Sequence, residues 1–286
     1  MSAWFGYAVG AFFLMGFQGF LYKVAAERRY DTARTTFIFM TTVALLSSIL
    51  WISLGEPMGD LVPFAILTLI NSLSFLAATM TFIEALKFLS ATTTYSVIRL
   101  NLLVVTIFSL LWFGEHPSPY QIGGIAIALA AMLVLTRGMN GEQRCPGRPS
   151  QGLVYLVMSL FAAAIASISS KFAAMYVGKL PFLTVVYGIG AITSIPFIKK
   201  PKPHAVQRDS RGTLVIGVAM GVLNFGGYYA FLTALSEGPL SLVASITGMH
   251  FVVSVVLSIL FYGEKLTTAR IVGFALTIIS LILLRF

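Results

Sequence analysis

Long apolar runs separated by short polar stretches occupy almost the whole chain. Helices of about 20 apolar residues cross the roughly 30 Å hydrocarbon core of a bilayer, whereas barrel strands alternate polar and apolar residues over about 10 positions. The runs here are of the first kind. They predict an all-α membrane protein with ten transmembrane helices, near residues 3–23, 34–54, 61–87, 92–113, 119–136, 151–176, 181–198, 212–235, 239–262 and 268–285. Most connections are short, so consecutive helices are expected to form antiparallel hairpins.

Composition agrees with this pattern. Of the 286 residues, 58% are hydrophobic and 10% are charged, against about 25% charged in an average globular domain. A soluble protein would need more polar surface. Cys145, the single cysteine, forms no internal disulfide and supplies no metal cluster.

Residues 114–121 predict one boundary between helices. Gly114 suits the left-handed position that ends a helix, and Ser118 suits the N-cap of the next. Pro119 fits the first turn, while Gln121 completes a capping box with Ser118. Gly263 and Thr267 offer a similar stop and start before the last run.

The two halves of the chain resemble each other. When Glu84–Ala126 is laid on Thr233–Ala275 without a gap, identical pairs include Ala85/Ala234, Leu86/Leu235, Ser96/Ser245, Ser109/Ser258, Gly114/Gly263, Glu115/Glu264 and Gly124/Gly273. Lys23 and Lys171 occupy similar places near the ends of the first helix of each half. We predict a five-helix repeat at 1–137, a linker at 138–150 and a second repeat at 151–286.

An odd number of helices per repeat has a topological consequence. The second repeat enters the membrane from the opposite side, so the two halves are related by an axis in the membrane plane. Such inverted repeats suit alternating access, because the halves can exchange conformations around one site.

The paired Gly-Glu turns resemble those of the drug/metabolite transporter superfamily, specifically its ten-helix EamA-type members. The motifs are Phe113-Gly114-Glu115 and Tyr262-Gly263-Glu264-Lys265-Leu266-Thr267, the helix starts Ile122-Gly123-Gly124 and Ile271-Val272-Gly273, the helix ends Ala85-Leu86 and Ala234-Leu235, and Lys23. The resemblance implies a carrier with a central cavity between its repeats. Substrates of such carriers include amino acids and other metabolites, sugar phosphates, nucleotide sugars, choline-like cations and drugs, and many members are exporters. Leu102 and Phe251 stand where relatives often have proline, so the local backbone is expected to differ.

Charged side chains inside a membrane span are costly and usually face a cavity or a partner. Glu84 and Arg99 lie at similar depth on either side of the hairpin near Ser90, so they could pair across it. The functional interpretation is an anion-binding Arg99 and a substrate or proton site at Glu84. A structural ion pair, or a bridge from Glu84 to Lys87, is the alternative.

Other polar residues extend this hypothesis. His250 occupies the place in the second repeat that Asn101 occupies in the first, and it is a second candidate for proton coupling. Asn224 and Tyr228 share one helix face. Packing and interhelical hydrogen bonds are the alternative roles. The proposed substrate-binding set is Glu84, Arg99, Asn101, His250, Asn224, Tyr228, Tyr95 and Asn71.

Lys23 and Lys171 either extend to the interface or close the ends of the cavity.

No acid, base and nucleophile or metal ligands cluster at one spacing, so we expect no catalytic residues, no metal and no cofactor. Without a phosphate-binding loop, ATP is not the direct energy source within this chain. Gly6-x-x-x-Gly10 and Gly217-x-x-x-Gly221 permit close helix packing; we expect a monomer, with a homodimer as the alternative.

The formal charge is +9, and most lysines and arginines lie in loops between the runs. Lipid headgroups, rather than nucleic acid, are the expected partners. Apart from Arg99, Lys171, Lys179 and Arg285, these residues fall on the side of the membrane reached by loops 1–2, 3–4, 5–6, 7–8 and 9–10. We call this the basic side. The positive-inside rule predicts that it is cytoplasmic, which puts both termini of this multi-pass cell (inner) membrane protein outside.

The leading functional hypothesis is a secondary transporter of a small polar organic metabolite, such as an amino acid or a similar zwitterion or anion, with export included. A lipid or lipid-linked sugar flippase is the first alternative, and it would need a lateral opening between helices. A membrane-embedded enzyme is disfavoured, because no catalytic cluster is present. A channel is a weaker alternative, which would lack the saturation and counterflow expected of a carrier.

Overall fold

The computed structural model describes residues 3–28, 30–89, 94, 97–137, 149–198, 210–263 and 266–286. Its longer helices are α1 (Ala3–Glu27), α2 (Thr32–Leu54), α3 (Leu61–Phe88), α4 (Asn101–Trp112), α5 (Pro119–Arg137), α6 (Pro149–Tyr176), α7 (Lys179–Ser194), α8 (Ser210–Glu237), α9 (Leu240–Gly248), α10 (Phe251–Tyr262) and α11 (Thr268–Arg285). Helices α9 and α10 together form one span. Within this described part of the chain, seven spans are long and apolar enough to cross a membrane, and α4, α5 and α7 are shorter apolar helices. The predicted ten-helix membrane fold is therefore confirmed.

The predicted helix ends are confirmed at the Gly-Glu turns. Gly114 and Gly263 have φ angles of 60° and 63°, in the left-handed region that glycine adopts without strain. The amide of Ser118 donates to Gln121 Oε1 over 2.9 Å, and the amide of Gln121 donates to Ser118 Oγ over 3.2 Å. Both arms of the capping box are thus formed.

Helices of one repeat pack mainly against helices of the other. Helix α1 packs on α8, α3 on α6, α2 on α7, α5 on α11 and α4 on α9. Because α6 and α8 are the first and third helices of the second repeat, the first two contacts are exchanged by one twofold axis. The pairs formed by second, fourth and fifth helices map onto themselves. The consecutive helices α1 and α2 touch only slightly, so the inverted repeats interlock rather than fold as separate hairpins.

The α5–α11 interface shows this symmetry at the level of single residues. A Cβ atom added to Gly124 would lie 2.9 Å from Leu284 Cγ, and one added to Gly273 would lie 2.3 Å from Leu135 Cγ. The two glycines, like the two leucines, are repeat-related positions. Ser280 Oγ also donates to the carbonyl of Gly124 over 2.8 Å. Each glycine therefore accepts the leucine of the opposite repeat.

Repeat-related spans four and nine are both broken near the middle. Leu102 N donates to Arg99 O over 3.2 Å, and Val252 N donates to Met249 O over 2.9 Å, in the tight i to i−3 pattern. One break precedes Asn101 and the other coincides with His250, so the two positions paired by the sequence repeat lie at the starts of α4 and α10. Neither Leu102 nor Phe251, the residues that follow the breaks, is proline, so the interruptions form without it.

The twofold symmetry is imperfect. Helix α2 packs closely against α8, whereas the related contact between α7 and α3 is much smaller. A space consequently opens between α3 and α7.

We predict that Gly124→Ala and Gly273→Ala each destabilise the folded protein by about 1–3 kcal/mol, because the added methyl overpacks the α5–α11 interface. Thermal unfolding of the purified protein in detergent measures this directly.

Gly123→Ala is the matched control, since a Cβ atom there meets nothing within 4 Å. Alanine improves helix propensity at such an open position, so its melting temperature should stay equal or rise. Equal melting temperatures for the variants at 123 and 124 would contradict the packing argument.

Candidate functional site

A cavity of about 330 Å³ lies between α2, α3, α7 and α8, within the size range of small-molecule sites. It reaches from the middle of the helices toward the basic side, where Ala33 begins α2 and Ser194 ends α7. Its floor and walls are formed by Met40, Asn71, Ser72, Leu73, Phe75, Leu76, Thr79, Met80, Tyr187, Ile189, Gly190, Thr193 and Tyr228, among others.

The floor is an ordered polar group. Asn71 Nδ2 lies 2.9 Å from the carbonyl of Ala166 and from Ser169 Oγ, and 3.0 Å from Ser170 Oγ. Ser170 Oγ in turn shares a 2.9 Å hydrogen bond with the hydroxyl of Tyr228. These contacts join α3, α6 and α8, so two of the predicted substrate-binding residues, Asn71 and Tyr228, lie together at the cavity floor.

Aromatic rings complete the wall. The ring of Tyr187 packs edge-on against Tyr228, with centroids 5.9 Å apart, and against Phe39 at the same separation. None of the described residues that line the cavity is charged. The cavity therefore offers hydroxyl and amide groups and ring faces, but no counter-ion among these residues.

Asn224 belongs to a second polar group. Its Nδ2 donates to Gln18 Oε1 over 2.9 Å, and Gln18 Nε2 donates to the hydroxyl of Tyr22 over 3.3 Å. Gln18 and Asn224 are both buried. Gln18 is absent from the predicted set, although a lone amide inside the first apolar run was a usable signal.

The broken spans bring other predicted residues together. The guanidinium carbon of Arg99 lies 4.5 Å from the ring centroid of Phe251, which follows His250. His250 Nδ1 lies 2.8 Å from the carbonyl of Thr247, at the end of α9. Asn101 begins α4 on the other broken span. Arg99, Asn101 and His250 thus mark helix interruptions inside the membrane, apart from the residues that line the cavity.

Glu84 lies in the last part of α3 and is half-buried. Its pairing with Arg99 stays a prediction. Tyr95, the remaining predicted residue, lies outside the described residues.

The side opposite the basic side is closed by two contacts between the repeats. In the first, which we call the Glu56 clamp, Glu56 accepts hydrogen bonds from the amides of Lys179 (2.7 Å) and Leu180 (3.0 Å). A carboxylate at a helix N-terminus satisfies free amides and complements the helix dipole. The amide of Gly178 also donates to the carbonyl of Met58 over 3.3 Å. The loop after α2 is thereby attached to the start of α7.

The second contact, the Glu115 clamp, joins the loop after α4 to the start of α9. Glu115 accepts hydrogen bonds from the amides of Leu240 and Ser241 and from Ser241 Oγ. Lys171 Nζ donates to the carbonyls of Leu235 and Gly238, over 2.6 and 2.8 Å, at the end of α8. One carboxylate and one ammonium group therefore satisfy the adjoining ends of two consecutive helices.

Glu115 lies in the boundary predicted at residues 114–121, and the structure shows that it caps a helix of the other repeat. Glu56 was not predicted. Lys171 is buried rather than extended to the interface. Its repeat-related partner, Lys23, has its ammonium nitrogen 5.1 Å from the ring centroid of Tyr262.

The comparisons with known proteins agree with this architecture. The EamA-like transporter family matches residues 2–137 and 150–286, one match for each repeat. One solved structure, described only as a crystal structure of a protein, covers 100% of this chain and 99% of its own, with a TM-score of 0.75 and 17% identity. That likeness shows the fold alone. No curated protein matches the sequence. The chain is a multi-pass membrane protein that belongs to the EamA-like transporter family, within the drug/metabolite transporter superfamily.

Proposed function

We propose that this transporter moves a small organic metabolite across the membrane by alternating access. The observation that carries the proposal is the unequal packing of twofold-related helix pairs. Helices α2 and α8 are in close contact, while α3 and α7 make a smaller contact and flank the cavity. If α3 and α7 came into close contact while α2 and α8 moved apart, the present cavity would close. A twofold-related cavity would then open on the other side of the membrane.

The residues of the Glu115 clamp have repeat-related counterparts in the first half of the chain. Glu115 and Lys171 hold the ends of α8 and α9, and the repeat places Glu264 and Lys23 at the corresponding positions of the first half. Glu264 lies outside the described residues. In the proposed cycle, the Glu115 clamp with Lys171 holds one side closed in one state. Glu264 and Lys23 would form the corresponding contact on the other side in the other state.

For the substrate, we propose an amino acid or a similar zwitterion or anion, with export as one direction. Broken helices expose amides and carbonyls that bind charged groups in inverted-repeat transporters. Arg99 and His250 lie at such breaks and are the candidates for the carboxylate of the substrate. Glu84 and His250 are the candidates for coupling to protons.

A lipid or lipid-linked sugar flippase is the second candidate function. The specific observation that favours it is the small contact between α3 and α7, where exposed apolar side chains such as Leu73 and Phe75 line the cavity.

For orientation, we propose that the basic side is cytoplasmic and that both termini lie outside. The lysine and arginine bias supports this assignment. The cavity would then open toward the cytoplasm, and both clamps would close the outer side.

We predict saturable uptake and counterflow when the protein is reconstituted in proteoliposomes with a panel of amino acids, amines and phosphorylated metabolites. Arg99→Gln should lower the flux of the anionic or zwitterionic substrate about tenfold or more, since a charged hydrogen bond contributes about 1.5–3 kcal/mol. Absence of saturable flux for every solute would remove the carrier proposal.

Arg270→Gln is the matched control for Arg99→Gln, because Arg270 lies at the start of α11 on the basic side. Its flux should equal that of the unmodified protein. The same liposomes with a pH gradient test Glu84→Gln, which should abolish the pH dependence. If that dependence is unchanged, Glu84 is not the proton site.

We predict that Phe286 lies outside the cell. A reporter that works only outside the cell should therefore be active when fused to Phe286, and a reporter that works only in the cytoplasm should be inactive there. Fusion within the loop 199–211 should give the reverse result. Cytoplasmic activity at Phe286 would invert the assignment and place the cavity mouth outside.

We predict that Glu56→Ala opens the Glu56 clamp. The test uses Cys145→Ser with Val177→Cys, because Val177 is buried and pairs with Gly59 across the clamp. Losing bonds of about 1.5–3 kcal/mol should raise the rate of labelling by a membrane-impermeant maleimide about tenfold or more.

Glu237→Ala is the control for this measurement, since Glu237 is an exposed carboxylate on the same side of the membrane. Equal labelling rates in the Glu56 and Glu237 variants would show that the carboxylate does not hold this side closed.

A further inference from the structure

The cavity opens sideways as well as toward the basic side. On α3, Leu73, Phe75 and Met80 line it and yet are 54%, 48% and 39% exposed. On α7, Thr193 lines it beside Ile192, which is 68% exposed and is not among the lining residues. In a membrane-spanning chain these exposed apolar side chains face hydrocarbon. The gap between α3 and α7 therefore joins the cavity to the bilayer interior.

The walls of this gap are suited to an apolar chain. Leu73, Leu76 and Met80 form one wall and Ile189 forms part of the other. Lipid tails are as apolar as leucine, so a tail entering the gap exchanges one apolar surrounding for another. Leaving the gap empty would forfeit dispersion contacts along both walls.

The floor is suited to a different kind of group. Asn71 and Tyr228 present an amide and a hydroxyl near the middle of the membrane, and Tyr187 adds a ring face. Ser170 lies behind them and is hydrogen-bonded to both. No charged side chain occurs among the described lining residues. A charged headgroup would pay a large desolvation cost at this depth, whereas a hydroxyl or amide can be satisfied by hydrogen bonds.

We infer that the cavity binds a single-chain amphiphile with an uncharged polar head, taken up laterally from the bilayer. The head contacts the Asn71–Tyr228 floor, and the chain leaves through the gap between α3 and α7. This ligand class differs from the zwitterion or anion proposed for transport, and the inference rests on the shape and chemistry of the cavity rather than on a transport activity.

The test uses a monoacylglycerol with a diazirine in its acyl chain, reconstituted with the full chain and photoactivated. Mass spectrometry should find labelled peptides that cover residues 71–80 and 186–194. Thr193→Trp fills the gap and should reduce this labelling severalfold. Ile192→Trp, one residue away on the lipid-facing surface, should leave it unchanged.

A second pair of variants guards against misfolding of Thr193→Trp. Thr79→Trp narrows the gap from the α3 side and should also reduce labelling, while Ala77→Trp on the exposed face of α3 should not. Each variant is compared only if it elutes as a single species in size-exclusion chromatography. Equal labelling in both lining variants and both control variants overturns the inference.

A phosphatidylcholine with the same diazirine forms the second arm. It should label lipid-facing surfaces without dependence on Thr193→Trp. If it labels the gap as strongly as the monoacylglycerol, and Thr193→Trp abolishes that labelling, the requirement for an uncharged head is wrong. Labelling without flux of any solute would refute the transport proposal alone, and flux without labelling would refute only this inference.

Discussion

The absence of water from the bilayer core is the constraint on which the rest of this structure depends. Every polar group placed there must find its partner inside the protein. Hydroxyl side chains satisfy this rule locally, as when Ser47 donates to Val43 O and Thr68 donates to Phe64 O, each over 2.8 Å. Amides such as Asn71 reach a different helix. The polar contacts therefore determine which helices must stay together.

Helix ends present the same problem in a stronger form, because each leaves several backbone groups without intrahelical partners. The solution differs between the repeat-related helices α2 and α7. On the basic side, α2 is capped by its own Asp31, whose carboxylate accepts from Arg34 N over 3.0 Å. On the opposite side, the related helix α7 is capped by Glu56 from the other repeat. The cap of α7 thus joins the two halves, whereas the cap of α2 makes no such connection.

The distance along the chain between interacting residues explains how much of the structure could be predicted from the sequence. The apolar runs, the Ser118–Gln121 capping box and the left-handed glycines depend on neighbours within a few residues, and the structure confirms them. The partners of Glu56 and Gln18 lie far along the chain, at Lys179 and Asn224. No local pattern specifies such a pair. The repeat pairs Gly124 with Gly273, but only the fold shows that each accepts a leucine of the other half.

The cavity has the same limit. Asn71 was predicted as a polar residue in an apolar run and Tyr228 from the helix face that it shares with Asn224, and both lie at the cavity floor. The predicted set also included Arg99 and His250, which lie at the broken spans. The cost of burying a polar side chain applies equally to the residues of the cavity floor and to those at the broken spans, because it indicates only that each needs a partner. Which groups face a common space depends on helix rotation, and the nearly uniform apolar runs do not encode it.

The start of α7 shows why its cap must come from the other repeat. Its N-cap residue is Gly178, which has no side chain to accept from the first-turn amides. A Cβ atom at that position would lie 2.3 Å from the carbonyl oxygen of Pro57. A local aspartate like Asp31 is thus incompatible with close approach of the two loops. The glycine that permits the contact also removes the local cap, so separation of the loops leaves these amides to water alone. Gly178 therefore both permits the close approach of the loops and makes Glu56 necessary as the cap of α7. Both effects favour the arrangement that is closed on this side.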